Sequence, residues 1–151
     1  VGDGPRVGAL KQLAAHLGVA ERVQFVGHGD HAQVPHELAQ LDVYVALSRL
    51  DSESFGVAII EAGAAARPVV VSDAGGLPEV VADGVTGLVV PRENPQAAAD
   101  AIERLLRDAD LRQRMGAAAR RRVAQHYSGD ACVETMLKVY ERLVARHRSS
   151  R

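Results

Sequence analysis

The sequence predicts an α/β fold with a mostly parallel sheet, and three observations carry that prediction. Short apolar runs alternate with segments of helical periodicity along the chain. One run, Val43-Tyr44-Val45-Ala46-Leu47, is continuously apolar, as suits a strand buried on both faces. Loops rich in Ser, Gly and Asp follow the runs, at 48–54 and 72–76, where strand would pass into helix.

The elements follow in order. Leu10, Leu13, Ala14 and Leu17 recur at helical spacing, and Gly18 reads as the helix stop. Val23 to Val26 reads as a short strand closed by Gly27, and Pro35 to Leu41 as a short helix. The strand Val43 to Leu47 leads through its loop to a helix from Phe55 to about Ala66. Pro68 ends that helix and opens the strand Val69-Val70-Val71. Leu77 to Ala82 is a short helix, Asp83-Gly84 a turn, and Thr86 to Val90 a strand closed by Pro91. Three helices remain: Pro95 to Arg107, Asp110 to His126, and Asp130 to about Arg146.

Bulk properties narrow the function. A chain of 151 residues fits one domain, expected to span 1–151 with a helical tail at 110–146. The net charge of -1, with no dominant block of one sign, gives no electrostatic case for nucleic acid. The single Cys132 excludes an internal disulfide and a cysteine metal cluster. His28, His31 and His36 cluster, but no fitting carboxylate or Cys joins them, so no metal site is expected. No apolar stretch reaches the roughly 18 residues of a membrane span. No signal peptide opens the chain. Cytoplasmic residence is expected, extending to the inner face of the membrane. The opening Val1-Gly2-Asp3-Gly4-Pro5 reads as a strand end and its loop, as in a piece of a longer protein.

In an open α/β sheet, ligands bind at the carboxyl ends of the strands. The loop 48–54 carries the most unusual residues there. Glu53 stands just before a helix start, and Ser54, Phe55 and Gly56 would form the first turn. Free N–H groups of a first turn attract anions, a diphosphate among them, and Gly56 has no side chain to block approach. Glu61 follows Glu53 by eight residues, roughly 12 Å along a helix axis. A hydrolase pair of carboxylates wants about 5–9.5 Å. Two readings stand: the two glutamates grip the two ends of one long ligand, such as a nucleotide sugar, or they are a helix-end charge and a surface residue. Gly75 and Gly76 could likewise face phosphate or sugar through their N–H groups, or form a plain turn. His28 follows Gly27 at a strand's carboxyl end.

The stretches Glu53-Ser54-Phe55-Gly56-Val57-Ala58-Ile59-Ile60-Glu61-Ala62, Arg67-Pro68-Val69-Val70-Val71-Ser72-Asp73-Ala74-Gly75-Gly76-Leu77-Pro78-Glu79-Val80-Val81 and Asp83-Gly84-Val85-Thr86-Gly87-Leu88-Val89-Val90-Pro91 resemble the C-terminal domain of glycosyltransferase family 4. The weaker flanks at Val1 to Pro5 and Val23 to Gly27 agree. The resemblance covers nearly the whole chain. It implies an incomplete Rossmann-like parallel sheet with flanking helices, the C-terminal half of a GT-B fold. It implies a retaining, metal-independent transfer of sugar from a nucleotide-diphosphate sugar to an acceptor hydroxyl, with no resident cofactor. Glu53 matches the catalytic position near the transferred sugar and Glu61 the position on the ribose hydroxyls. The backbone of Ser54, Phe55 and Gly56 matches the sugar and diphosphate contacts. Gly27 and His28 fall in the base pocket, and Arg67 falls where it could approach the diphosphate.

Further expectations follow from the resemblance. The family's N-terminal acceptor domain, and its first strand and most of its second in this half, are absent from the sequence, so the fragment alone is expected to be inactive. In the family strand order 3-2-1-4-5-6, Val23 to Val26 would be strand 3 and Val43 to Leu47 strand 4. Exposed sheet edges could pair in a homodimer. Val133, Leu137, Tyr140 and Leu143 would form an exposed apolar stripe. Ala66 stands where the family often has Gly before Arg67, at a cost of about 1 kcal/mol if φ is positive. An epimerase or phosphorylase is the weaker reading, since a phosphorylase needs a cofactor lysine and neither Lys11 nor Lys138 lies near the site. A non-catalytic nucleotide-binding or protein-interaction module on the same fold is the other alternative.

Overall fold

The structure is a computed structural model and describes residues 4–51 and 55–149. The chain divides into two compact units, Val1–Glu37 and Leu38–Arg151. In the first, α1 (Val7–His16) forms as the periodicity requires. Gly18, with φ 67°, closes it. The Gly18 N–H bonds to the Ala15 carbonyl and the Val19 N–H to the Ala14 carbonyl, the paired bonds of a Schellman stop. The strand expected at Val23 to Val26 is not formed. Val23 is extended, but the segment joins no ladder among the described residues, and Val23, Phe25 and Val26 are exposed. A parallel strand needs a neighbour to satisfy its backbone. Lys11 places its ammonium 5.7 Å from the Phe25 ring centre.

α2 (Val34–Ala39) follows, and the second unit contains a three-stranded parallel sheet of order β1-β2-β3. β1 is Tyr44–Ala46, β2 Val69–Ser72 and β3 Gly87–Val90. Tyr44 pairs with Val69, and Val69 with Gly87. The incomplete Rossmann-like sheet is thus present, with its three strands in the expected order. β2 is buried throughout, because it is the central strand and both faces are covered. The expectation that Val43 to Leu47 is buried on both faces is corrected. Val45 is 40% exposed and Leu47 45%, since among the described residues β1 is paired only with β2.

Helices cover the sheet. α3 (Val57–Ala64) and α4 (Leu77–Val80) are the crossovers between successive strands. α5 (Pro95–Arg107) packs on β2 and β3. Val70, Leu88 and Val90 from the strands meet Ala98, Ala101 and Leu105 of α5, and Met115 of α6 (Ala109–His126). Capping sets the helix starts: Asn94 accepts from the Ala97 N–H and Asp108 from the Leu111 N–H. α7 (Gly129–Ser149) runs on from α6 after Ser128, whose hydroxyl accepts from the Ala131 N–H.

α3 begins later than its sequence suggests. The reading that Phe55 and Gly56 belong to its first turn is corrected: Gly56 is the residue before the helix, at φ 70° and ψ 52°. Two constraints select glycine there. The left-handed backbone disfavours a side chain. A Cβ would also stand 2.9 Å from both Ile59 Cδ1 and Leu77 Cδ2. At its other end α3 stops on Ala66, whose φ is 57°, so the condition set for a backbone cost at that position is met.

Candidate functional site

The parallel sheet places the loops after β1, β2 and β3 along one edge, the carboxyl edge where α/β proteins bind ligands. Glu53 and Ser54 lie outside the described residues. The described residues that flank them make specific contacts. Before them, the buried Ser72 hydroxyl donates to the Ser48 carbonyl over 2.6 Å. Asp51 Oδ1 accepts from the Gly75 N–H at 3.1 Å and from Arg92 Nη1 at 2.8 Å. After them, Phe55 rests edge-on against Tyr127, with ring centres 5.9 Å apart, and Gly56 turns the chain into α3.

Arg92, two residues after β3, ties all three loops together. Besides Asp51 it reaches Asp73 Oδ1 through Nε at 3.3 Å and the Asp73 carbonyl through Nη2 at 2.6 Å. Its own backbone N–H donates to Asp73 Oδ1 at 2.7 Å. Arg49 and Glu93 form a second pair between the first and third loops. The Gly75 N–H, and then the Arg92 guanidinium, hold the Asp51 carboxyl below its ordinary range. The hydrogen bond that Arg92 donates to Asp51 is the chief cause that raises the Arg92 pKa.

The expected site residues divide among places. Phe55, Gly56, Gly75 and Gly76 stand at the carboxyl edge. Gly75 has φ 53°, and its N–H, considered for phosphate or sugar, is held by Asp51 in this structure. Glu61 is half-buried in the second turn of α3. Gly27 and His28 belong to the first unit, Gly27 with φ 78°. Arg67 is a correction. It precedes β2, so it sits at the amino edge, opposite the ligand crevice. There its Nη1 donates to the Leu41 carbonyl at 2.9 Å and its Nε to the Ala65 carbonyl at 3.1 Å. Strand direction forbids it the carboxyl edge.

Sequence reasoning missed Asp51, Asp73 and Arg92. Their signal was present: each is a charged residue in the loop following one of three consecutive strands of a parallel sheet. Among the described residues, no three His, Cys, Asp or Glu side chains group to hold a metal ion. Among them, no helix is long and apolar enough to cross a membrane.

Comparison with known proteins gives this edge a context. The chain is 38% identical over 135 residues to the GDP-mannose-dependent alpha-(1-6)-phosphatidylinositol monomannoside mannosyltransferase of Mycobacterium tuberculosis, covering 86% of this chain and 35% of that protein. Its fold matches sucrose-phosphate synthase from Thermosynechococcus elongatus with a TM-score of 0.83 at 32% identity, over 96% of this chain and 37% of the other. It also matches HepE of Anabaena, solved in complex with UDP-glucose, with a TM-score of 0.81 at 28% identity, over 95% of this chain and 39% of the other. The chain spans about a third of the length of the curated relatives it matches. The architecture is that of an incomplete GT-B Rossmann-like half. The family of glycosyl transferases group 1 matches residues 1–122. With its sheet, its carboxyl-edge loops and four-fifths of its length accounted for in this way, the chain belongs to the glycosyl transferases group 1 family.

Proposed function

We propose that this chain is the donor-binding C-terminal domain of a retaining, metal-independent glycosyltransferase. In this reading it holds a nucleotide-diphosphate sugar while an N-terminal acceptor domain presents a hydroxyl. The observation that carries the proposal is the left-handed Gly56, through which the chain enters α3 at the carboxyl edge of the sheet, with Glu61 in the second turn of that helix. That passage leaves the Val57 and Ala58 N–H groups at the start of α3 on the carboxyl edge, where a diphosphate is favoured, while the Ile59 N–H bonds to the Gly56 carbonyl. M. tuberculosis and Anabaena relatives named for GDP-mannose and for a UDP-glucose complex support a nucleotide-sugar donor.

The roles follow the ligand's length. Glu53 orients the hydroxyls of the transferred sugar. Ser54, Phe55 and Gly56 contact sugar and diphosphate through their backbone, and Gly75 and Gly76 line the same edge. Glu61 accepts hydrogen bonds from the ribose hydroxyls, which an ionised carboxylate does without a shifted pKa. In the transfer, the bond between the anomeric carbon and the diphosphate oxygen breaks. A bond to the acceptor oxygen forms on the same face, and the acceptor proton leaves with the nucleoside diphosphate. The domain alone binds donor without turnover, and the enzyme works in the cytoplasm.

The test is direct titration of UDP, GDP and ADP and of UDP-glucose and GDP-mannose, followed by amide shifts. Binding by at least one is expected. Glu61→Ala should weaken it by on the order of tenfold or more, from loss of charge-assisted hydrogen bonds of about 1.5–3 kcal/mol. Absence of binding at millimolar ligand would remove the donor site.

A further inference from the structure

The three loops of the carboxyl edge come from three different strands, and nothing in a parallel sheet itself fixes such loops to one another. Arg92 does so here. Its guanidinium reaches Asp51 in the first loop and both the carboxylate and the carbonyl of Asp73 in the second, from a base in the third. The planar fork matters, because three acceptors in two directions exceed what a single ammonium can hold in fixed geometry. Asp51 is held twice, by Arg92 and by the Gly75 N–H, so the first and second loops are also joined without Arg92. Arg49 with Glu93 closes a parallel tie between the first and third loops.

We infer that Arg92, with Asp51 and Asp73, is a positioning clamp for donor binding: it sets Asp51, in the loop after β1, against the Gly75-Gly76 loop, so that the loops of both strands meet one donor molecule. The inference rests on the donor reading above. Exposed ion pairs of this kind contribute little to global stability. Here Arg92 and Asp51 side chains are 36% and 74% exposed. Their consequence is therefore geometric: a loop displaced by about 1 Å can lose up to 100-fold in a reaction or binding step that needs alignment.

The experiment compares wild type, Arg92→Met, Arg92→Lys, Asp51→Asn and the Arg92→Met/Asp51→Asn double variant. UDP-glucose and GDP-mannose serve as probes, and thermal melting is measured alongside. The clamp predicts that Arg92→Met and Asp51→Asn each weaken binding of the preferred probe by on the order of tenfold, with melting unchanged. Arg92→Lys should recover part of the loss. The double variant should bind no worse than the weaker single variant, since both substitutions break one unit. A purely structural role would move melting and affinity together. If the variants bind like wild type, or if losses add in full, the clamp is overturned while the donor reading stands. If wild type binds none of UDP, GDP, ADP, UDP-glucose and GDP-mannose at millimolar concentration, the donor reading and the clamp fall together.

Discussion

Ala66 shows how one residue departs from its structural role without altering it. α1 and α3 end on the same motif. At α1 the left-handed position is Gly18; at α3 it is Ala66, with the Ala66 N–H on the Gly63 carbonyl and the Arg67 N–H on the Ala62 carbonyl at 2.9 Å each. An L-residue in that region costs about 1–2 kcal/mol, and glycine regains it less about 0.5–1 kcal/mol of backbone entropy. Ala66→Gly should therefore raise unfolding free energy by up to about 1 kcal/mol, read as a higher urea midpoint at constant slope. A lower midpoint would mean that the methyl group contributes more packing than its backbone costs. The family resemblance drew attention to this position, where glycine is frequent, and left the sign of φ as a condition that the structure meets. The sequence did not anticipate Arg92, because a loop arginine has no periodicity, and its partners at 51 and 73 are distant in sequence. Arg67 misled for the converse reason: its charge suits a diphosphate, but only strand direction shows which edge it occupies.

At the scale of elements, the close fit of α3 and α6 turns on small residues. A Cβ on Gly63 would lie 2.9 Å from Val123 Cγ2. A Cβ on Gly116 would lie 2.1 Å from the Ala66 carbonyl oxygen, a backbone atom that cannot rotate aside. Gly116→Ala must push α6 off the end of α3, and overpacking of this kind costs about 1–3 kcal/mol. Gly8→Ala is the internal control. It also lies in a helix, but its Cβ would meet nothing within 4 Å. There the substitution should be neutral or stabilising by up to about 1 kcal/mol. A lower urea midpoint is expected for Gly116→Ala and an unchanged or higher one for Gly8→Ala; equal shifts would mean that α6 relaxes freely. Helices were more legible than strands. α5 carried a proline at its first position and an Asn cap, signals that act locally. The Val23 to Val26 run carried only local apolarity, and a strand is made by its neighbour rather than by its own residues.

At the scale of the molecule, stability is unevenly distributed. β2, with the cluster of Val70, Leu88, Leu105 and Met115, is closed from solvent. α7 is the opposite. Val133, Met136, Leu137, Tyr140, Leu143 and Val144 are each about half exposed, so the apolar stripe expected from the sequence is present. The helix is helped by its own Lys138–Glu134 pair at 2.6 Å, but an exposed i,i+4 pair adds only about 0.3–0.5 kcal/mol. A helix with so little burial opens locally without unfolding the sheet. In hydrogen exchange on dilute protein, amides from Val133 to Val144 should therefore exchange on the order of a hundredfold faster than those of Val69 to Val71. The same measurement asks whether a second copy covers this stripe, a contact distinct from the homodimer expected through exposed sheet edges. If α7 gains protection as concentration rises while β2 does not change, a second copy covers the stripe. If α7 is as protected as β2 at every concentration, burial has been misjudged and the helix belongs to the cooperative core.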